Sequence, residues 1–156
     1  MATEIRGYDP ARSAEQRKHD VLARLTRDDD VWVATASADG GPCLVPLSFV
    51  WDQDTLLMCT RRTNPTAINL TPRGPVVLTL GTTRDVVLIR GEAEVVEGAA
   101  LANRSADAFA DKLEGWDPRD QPRWIYLRVT PTTVQAWREV NELADRDLMR
   151  DGAWLV

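Results

Sequence analysis

The sequence predicts a mainly β protein with a few helices, its antiparallel strands forming a closed or partly closed barrel. Strand-like runs follow one another in near-neighbour order, separated by short turns. Within several of them apolar and polar residues alternate, the mark of a sheet with one buried face. Strand–helix–strand crossovers are too few for a doubly wound parallel sheet.

The elements follow in order. Ser13-Ala14-Glu15-Gln16 has the form of a capping box, and Val21, Leu22 and Leu25 recur at helical spacing. A first helix over 13–27 is predicted, ended by Asp28-Asp29-Asp30. Residues 31–37 are β-branched or small apart from Trp32, and Asp39-Gly40-Gly41 is a hairpin turn. In the next strand, 42–51, period-two counting puts Cys43, Val45, Leu47, Phe49 and Trp51 on one side. Pro46 lacks the N–H that a central ladder needs, so this strand has an edge or a bulge there. Asp52-Gln53-Asp54 turns the chain into a third strand, 56–60, completing a meander.

Asn64 and Pro65 then fit the N-cap and first position of a helix that Pro72 and Gly74 stop after about two turns. Strands are predicted over 76–80 and 86–97, with Val87, Ile89, Gly91, Ala93 and Val95 on one face and Arg90, Glu92 and Glu94 on the other. Ala102, Ala106, Phe109 and Leu113 define a second long helix closing near Gly115. Two final strands, 124–130 and 133–137, are expected to pivot on Pro131. The tail 138–156 is polar and acidic but ends in Ala153-Trp154-Leu155-Val156, and is expected to dock on the body of the protein or on a second subunit.

A chain of 156 residues is near the usual size of one domain, and residues 1–156 are read as one. At that length roughly 70% of the unfolded surface is buried, so neither disulfides nor a structural metal is required. Cys43 and Cys59 sit in apolar runs and read as reduced, buried thiols. No apolar run is long enough to cross a bilayer, and residues 1–8 lack the apolar stretch of a secretory signal; a cytoplasmic protein is expected. A formal net charge of −5 argues against a nucleic-acid partner, which needs surplus Lys and Arg.

Side-chain acid–base chemistry is poorly supplied. The one histidine, His19, lies among Arg17, Lys18 and Asp20 on the first helix and reads as solvated, and no paired Cys or His spacing suggests zinc. An enzyme of this composition would rely on an organic cofactor. The strongest binding signal is Thr60-Arg61-Arg62-Thr63-Asn64-Pro65-Thr66-Ala67-Ile68-Asn69, in which a strand ends in a hydroxyl and two guanidiniums and then enters a helix. Arginine forks, threonine hydroxyls and unpaired helix amides are three kinds of phosphate ligand. A solvated basic turn with an ordinary N-cap fits the same residues.

The order of these pieces over 31–137 resembles the split β-barrel flavoproteins related to pyridoxamine 5′-phosphate oxidase, among them FMN- and deazaflavin (coenzyme F-420)-dependent reductases. The matching stations are 31–37 with Asp39-Gly40-Gly41-Pro42, Val45-Pro46-Leu47-Ser48-Phe49-Val50-Trp51-Asp52, 56–62, Asn69-Leu70, 75–80, and 86–96 with Gly91 near its middle. The resemblance implies a Greek-key-type split barrel that forms a homodimer with two cofactor sites at the subunit interface. It places the cofactor phosphate at Thr60, Arg61, Arg62, Thr66 and Asn69, and the ring along Pro46, Leu47, Ser48 and Phe49. Thr66 stands where many relatives carry a Lys or Arg. Arg84, in a turn, and Trp137, where the C-terminal segment begins, are further cofactor-binding candidates. The implied function is an oxidoreductase that binds FMN, or the deazaflavin, and passes hydride to a small-molecule substrate. A non-catalytic FMN-binding module and a dimeric interaction protein without cofactor are the alternatives.

Overall fold

The computed structural model describes residues 7–156; residues 1–6, most of the stretch read as lacking a secretory signal, lie outside the described residues. Its centre is an antiparallel barrel. Strands β1 (Asp30–Ala36), β2 (Pro42–Asp52) and β3 (Thr55–Arg61) form the predicted meander, and helix α2 (Pro65–Leu70) then carries the chain across one end of the barrel. Strand β4 (Arg73–Thr82) therefore pairs on the far side of β1, followed by β5 (Asp85–Val96) and β6 (Trp124–Trp137). Pairing of β6 with β3 closes the six-stranded ring in Greek-key fashion.

Two apolar clusters hold this arrangement. Inside the barrel, Val31, Val33, Phe49, Leu56, Met58, Leu78, Ile89 and Leu127 are fully buried, and α1 (Ala14–Arg27) adds Val21 and Leu25. Outside it, α3 (Asn103–Lys112) lays Ala106 and Phe109 against Leu57, Cys59 and Tyr126. That second layer explains why Leu56–Thr60 of β3 is buried on both faces and does not alternate. Phe109 meets Tyr126 edge-on at 5.5 Å, and Trp116 meets Trp124 at 4.9 Å. Among the described residues no helix is long and apolar enough to cross a membrane.

Several expectations need correction. The two final strands are one strand, β6, because a bulge at Thr132 lets the ladder continue past Pro131, which pairs with Gly91. The acidic tail, expected to dock on the body or on a second subunit, lies on the protein's own barrel, and it does so through strands that were not predicted. β7 (Asp147–Arg150) pairs with β6 and buries Leu148 and Met149, and β8 (Ala153–Trp154) pairs with β7. Its signal was hidden by short length and flanking charge. Only half of the capping box forms: Ser13 accepts from the Gln16 amide (3.1 Å), while the Gln16 side chain turns to Asp20. Helix α2 begins at Pro65 with Asn64 at the N-cap position, as predicted, and ends at Leu70, two residues before Pro72; the Asn64 side chain makes no capping bond.

Gly91 is required by close approach. A Cβ there would lie 2.6 Å from the Thr130 carbonyl oxygen and 2.9 Å from Val129 Cγ1, at the register shift between β5 and β6. Gly91→Ala is expected to destabilise the fold by about 2–3 kcal/mol, read as a lowered midpoint in denaturant unfolding with an unchanged slope.

The two ends of the chain are joined by an ion pair. The Glu142 carboxylate, 4% exposed, accepts from the Arg12 amide (3.0 Å), from Arg12 Nε (3.0 Å) and Nη2 (2.8 Å), and from the Arg138 amide (2.8 Å). The Arg12 hydrogen bond is the main cause of a Glu142 pKa lowered from 4.5 to about 2, against an opposing desolvation. A carboxylate whose pKa is depressed by folding gives its full stabilisation above pH 4.5 and loses it as pH falls toward 2. Over that window Glu142→Gln is expected to remove on the order of 3 kcal/mol of the pH dependence of stability, measured by urea unfolding at successive pH values.

Candidate functional site

The barrel has an opening, and it lies where β2 and β3 part. β2 pairs with β3 only over Phe49–Asp52, whereas it pairs with β1 along 42–48 as well. Beyond Phe49, β3 stays with β6, so no strand covers the other edge of β2 over 42–48 among the described residues. The Phe49 amide donates toward β1, to the Asp29 carbonyl (3.1 Å). By alternation, the odd residues of this stretch serve β1 and the even ones face the opening. The first turn of α2 leans over the same opening, bringing Thr66 Oγ1 to 3.9 Å from Cys43 Sγ.

The phosphate candidates gather at this end of the barrel, in unequal states. Thr60 is 3% exposed and accepts from Asn64 Nδ2 (2.9 Å), which explains the missing cap: Asn64 turns back onto β3. Thr66 is buried. Asn69 Nδ2 donates to Thr35 Oγ1 (3.1 Å). Arg62 is spoken for, since its two terminal nitrogens reach the Glu97 carboxylate at 2.6 and 2.7 Å and its Nε donates to the Pro122 carbonyl. That bond raises the Arg62 pKa and lowers that of Glu97. Arg61 forms no ion pair among the described residues, and its guanidinium lies 5.5 Å over the Trp124 ring. It is the available cation of the segment.

The ring candidates do not share one face. Leu47 and Phe49 point into the barrel, and Phe49 is fully buried beneath Lys112, whose Nζ sits 4.3 Å over its ring. Pro46 is exposed and pairs with Trp32, and Ser48 Oγ donates to Asp30 (2.7 Å). Arg84 and Trp137 are not brought to the segment within one chain. They lie at the opposite end of β5 and β6, where Arg84 pairs with Glu139 and Trp137 pairs with Val86. Asp85, beside Arg84 in sequence, pairs instead with Arg24 (3.0 Å) and Arg138 (3.3 Å).

Two grooves flank α2. One, of about 520 Å³, is lined by Ala34, Thr35, Asn69, Val77, Arg90 and Glu92; the other, of about 500 Å³, by Arg62, Ile68, Thr71, Val95 and Glu97. Thr35 and Glu97 were missed in the sequence. Thr35 carried a signal, as the polar residue in the inward series Val31, Val33, Thr35; Glu97, at a strand end, carried none. His19 is exposed, and no grouping of three His, Cys, Asp or Glu suited to a metal occurs among the described residues. The site offers hydroxyls, an amide, one guanidinium and an open strand edge, a set that binds and orients.

A family model for pyridoxamine 5′-phosphate oxidase matches residues 18–138, and the chain belongs to that family. Comparison with curated proteins finds no match. Among solved structures, an F-420 reductase superposes with a TM-score of 0.57 at 21% identity, covering 72% of this chain and 93% of its own. General stress protein 26 of Bacillus anthracis gives 0.57 at 16%, covering 76% and 92%. A heme-binding protein of Mycobacterium smegmatis gives 0.60 at 15%, covering 86% and 57%. At these identities the likeness establishes the fold alone.

Both cysteines are free, Cys43 half-buried at the opening and Cys59 buried. Burial pushes the Cys59 thiol up to about 12, so thiolate is scarce there at neutral pH. Maleimide is expected to modify one thiol per native chain, at Cys43, and both in denaturant, as read by intact-mass spectrometry.

Proposed function

We propose that the chain is an oxidoreductase that binds FMN or the deazaflavin F-420 in the opening between β2 and β3 and acts on a small organic acceptor. The observation that carries this reading is the uncovered edge of β2 facing Thr60 and the start of α2, with Arg61 uncompensated beside it. Family membership supports it. The residues present fit a phosphate-bearing planar ligand: Arg61 would pair with the phosphate, Thr60 and Asn64 would supply polar contacts, and the β2 edge would present backbone groups to the ring. When bound, such a cofactor supplies hydride transfer. The chain's own part is to bind the phosphate and orient the ring against β2, which suits a site without histidine.

A homodimer is part of the proposal. Trp32 (49% exposed) and Leu44 (61% exposed) lie diagonally across the β1–β2 ladder with Pro46 between them, an apolar outer face next to the opening. A second reading, a dimeric binding module without redox turnover, draws on Thr66, a buried hydroxyl where relatives carry a cation, and on Arg62, neutralised by Glu97.

Purified protein reconstituted with each cofactor and followed by its absorption spectrum tests the proposal; uptake of neither would refute it. Arg61→Ala is expected to weaken cofactor binding roughly tenfold, a charge-assisted bond being worth about 1.5–3 kcal/mol, and Arg62→Ala to weaken it less than threefold. Rapid reduction of the bound cofactor by a nicotinamide or a deazaflavin-reducing system favours the enzyme over the module.

A further inference from the structure

Arg17 lies on the buried side of α1 and is 3% exposed. Its Nη1 donates to the carbonyls of Ala136 (3.3 Å) and Asp145 (2.5 Å), and its Nε has no hydrogen-bond partner. Among the described residues no carboxylate comes within ion-pair distance of it. A guanidinium does not lose its proton in a protein, so this is a buried charge balanced by carbonyl dipoles alone, a strongly unfavourable arrangement.

The side chain lines a cavity of about 430 Å³ together with Arg12, Ser13, Ala14, Asp145, Asp147 and Arg150. The other cations there are already matched. Arg12 pairs with Asp20 (2.9 Å) and Glu142 (2.8 Å), and Arg150 pairs with Asp147 (3.1 Å). Asp145 also lines the cavity, but its carboxylate lies beyond ion-pair reach of Arg17. The N-terminus of the fourteen-residue helix α1 opens onto the same space; Ser13 takes the Gln16 and Arg17 amides, leaving those of Ala14 and Glu15 without an intrahelical partner. The cavity is walled by α1 and the C-terminal segment, at the end of β6 remote from α2.

We propose that this cavity binds a small oxyanion, a phosphate monoester or a carboxylate, which pairs with Arg17 and meets the Ala14 and Glu15 amides at the start of α1. The site is independent of the cofactor opening. The test is a titration of isotopically labelled full-length protein with inorganic phosphate and, separately, with acetate, at ionic strength held constant with chloride. The backbone amides of Ala14 and Glu15 and the Arg17 Nε–H are followed by nuclear magnetic resonance. A saturable shift of these signals is expected with at least one anion, and the arm that saturates at lower concentration identifies the chemistry. Arg17→Met is expected to raise the midpoint at least tenfold, while Arg61→Ala leaves it unchanged. Absence of saturable shifts with both anions overturns the proposal, as do shifts that survive Arg17→Met or vanish with Arg61→Ala. Should Arg17→Met not fold, the wild-type and Arg61→Ala titrations decide between these outcomes.

Discussion

The pairing of β3 with β6 does two jobs with one strand. Six residue pairs, from Leu56↔Val129 to Arg61↔Trp124, join segments that lie far apart in sequence and close the ring. Such a contact must offset the entropy of a long loop, and α3 helps by laying Phe109 and Ala106 over the seam from outside. The same pairing draws β3 away from β2 after four residue pairs. Closure on one side of β3 is thus the cause of the opening on the other, and α2 starts where β3 ends, at the mouth of that opening.

The strands were legible because burial on one face imposes alternation, as in Val87, Ile89, Gly91, Ala93 and Val95. The helices were legible from spacing and caps, as in Ser13 and Asn64–Pro65. What the sequence hid was tertiary. Nothing local shows that Leu148 and Met149 fill a gap beside β6, or that Arg17 faces inward while its neighbours Lys18 and His19 do not. The site divides the same way. A basic run beside a helix start was visible, but its two arginines differ in a way that depends on Glu97, thirty-five positions from Arg62, and on Trp124, across the sheet from Arg61.

Charge in this protein is mostly organised as local matching. Arg12 with Glu142 and Asp20, Arg24 with Asp85, and Arg128 with Asp52 tie α1, the turns and the tail to the barrel. Of the guanidiniums that form no ion pair among the described residues, Arg61 is exposed over Trp124 and Arg17 is buried. The first sits at the mouth of the opening and the second beneath the start of α1, so the two mark opposite ends of the barrel.

An uncovered strand edge is ordinarily a hazard, because its free N–H and C=O groups can template another chain. The exposed half of β2 carries Pro42 and Pro46, both at the even positions that face the opening. Two of the donors that a foreign strand would need are therefore missing, while the carbonyls remain. The edge can receive a compact ligand that needs few contacts, yet it cannot offer a continuous ladder to a neighbour. Pro42 and Pro46 thus keep an edge that the departure of β3 leaves open from being stitched to another chain.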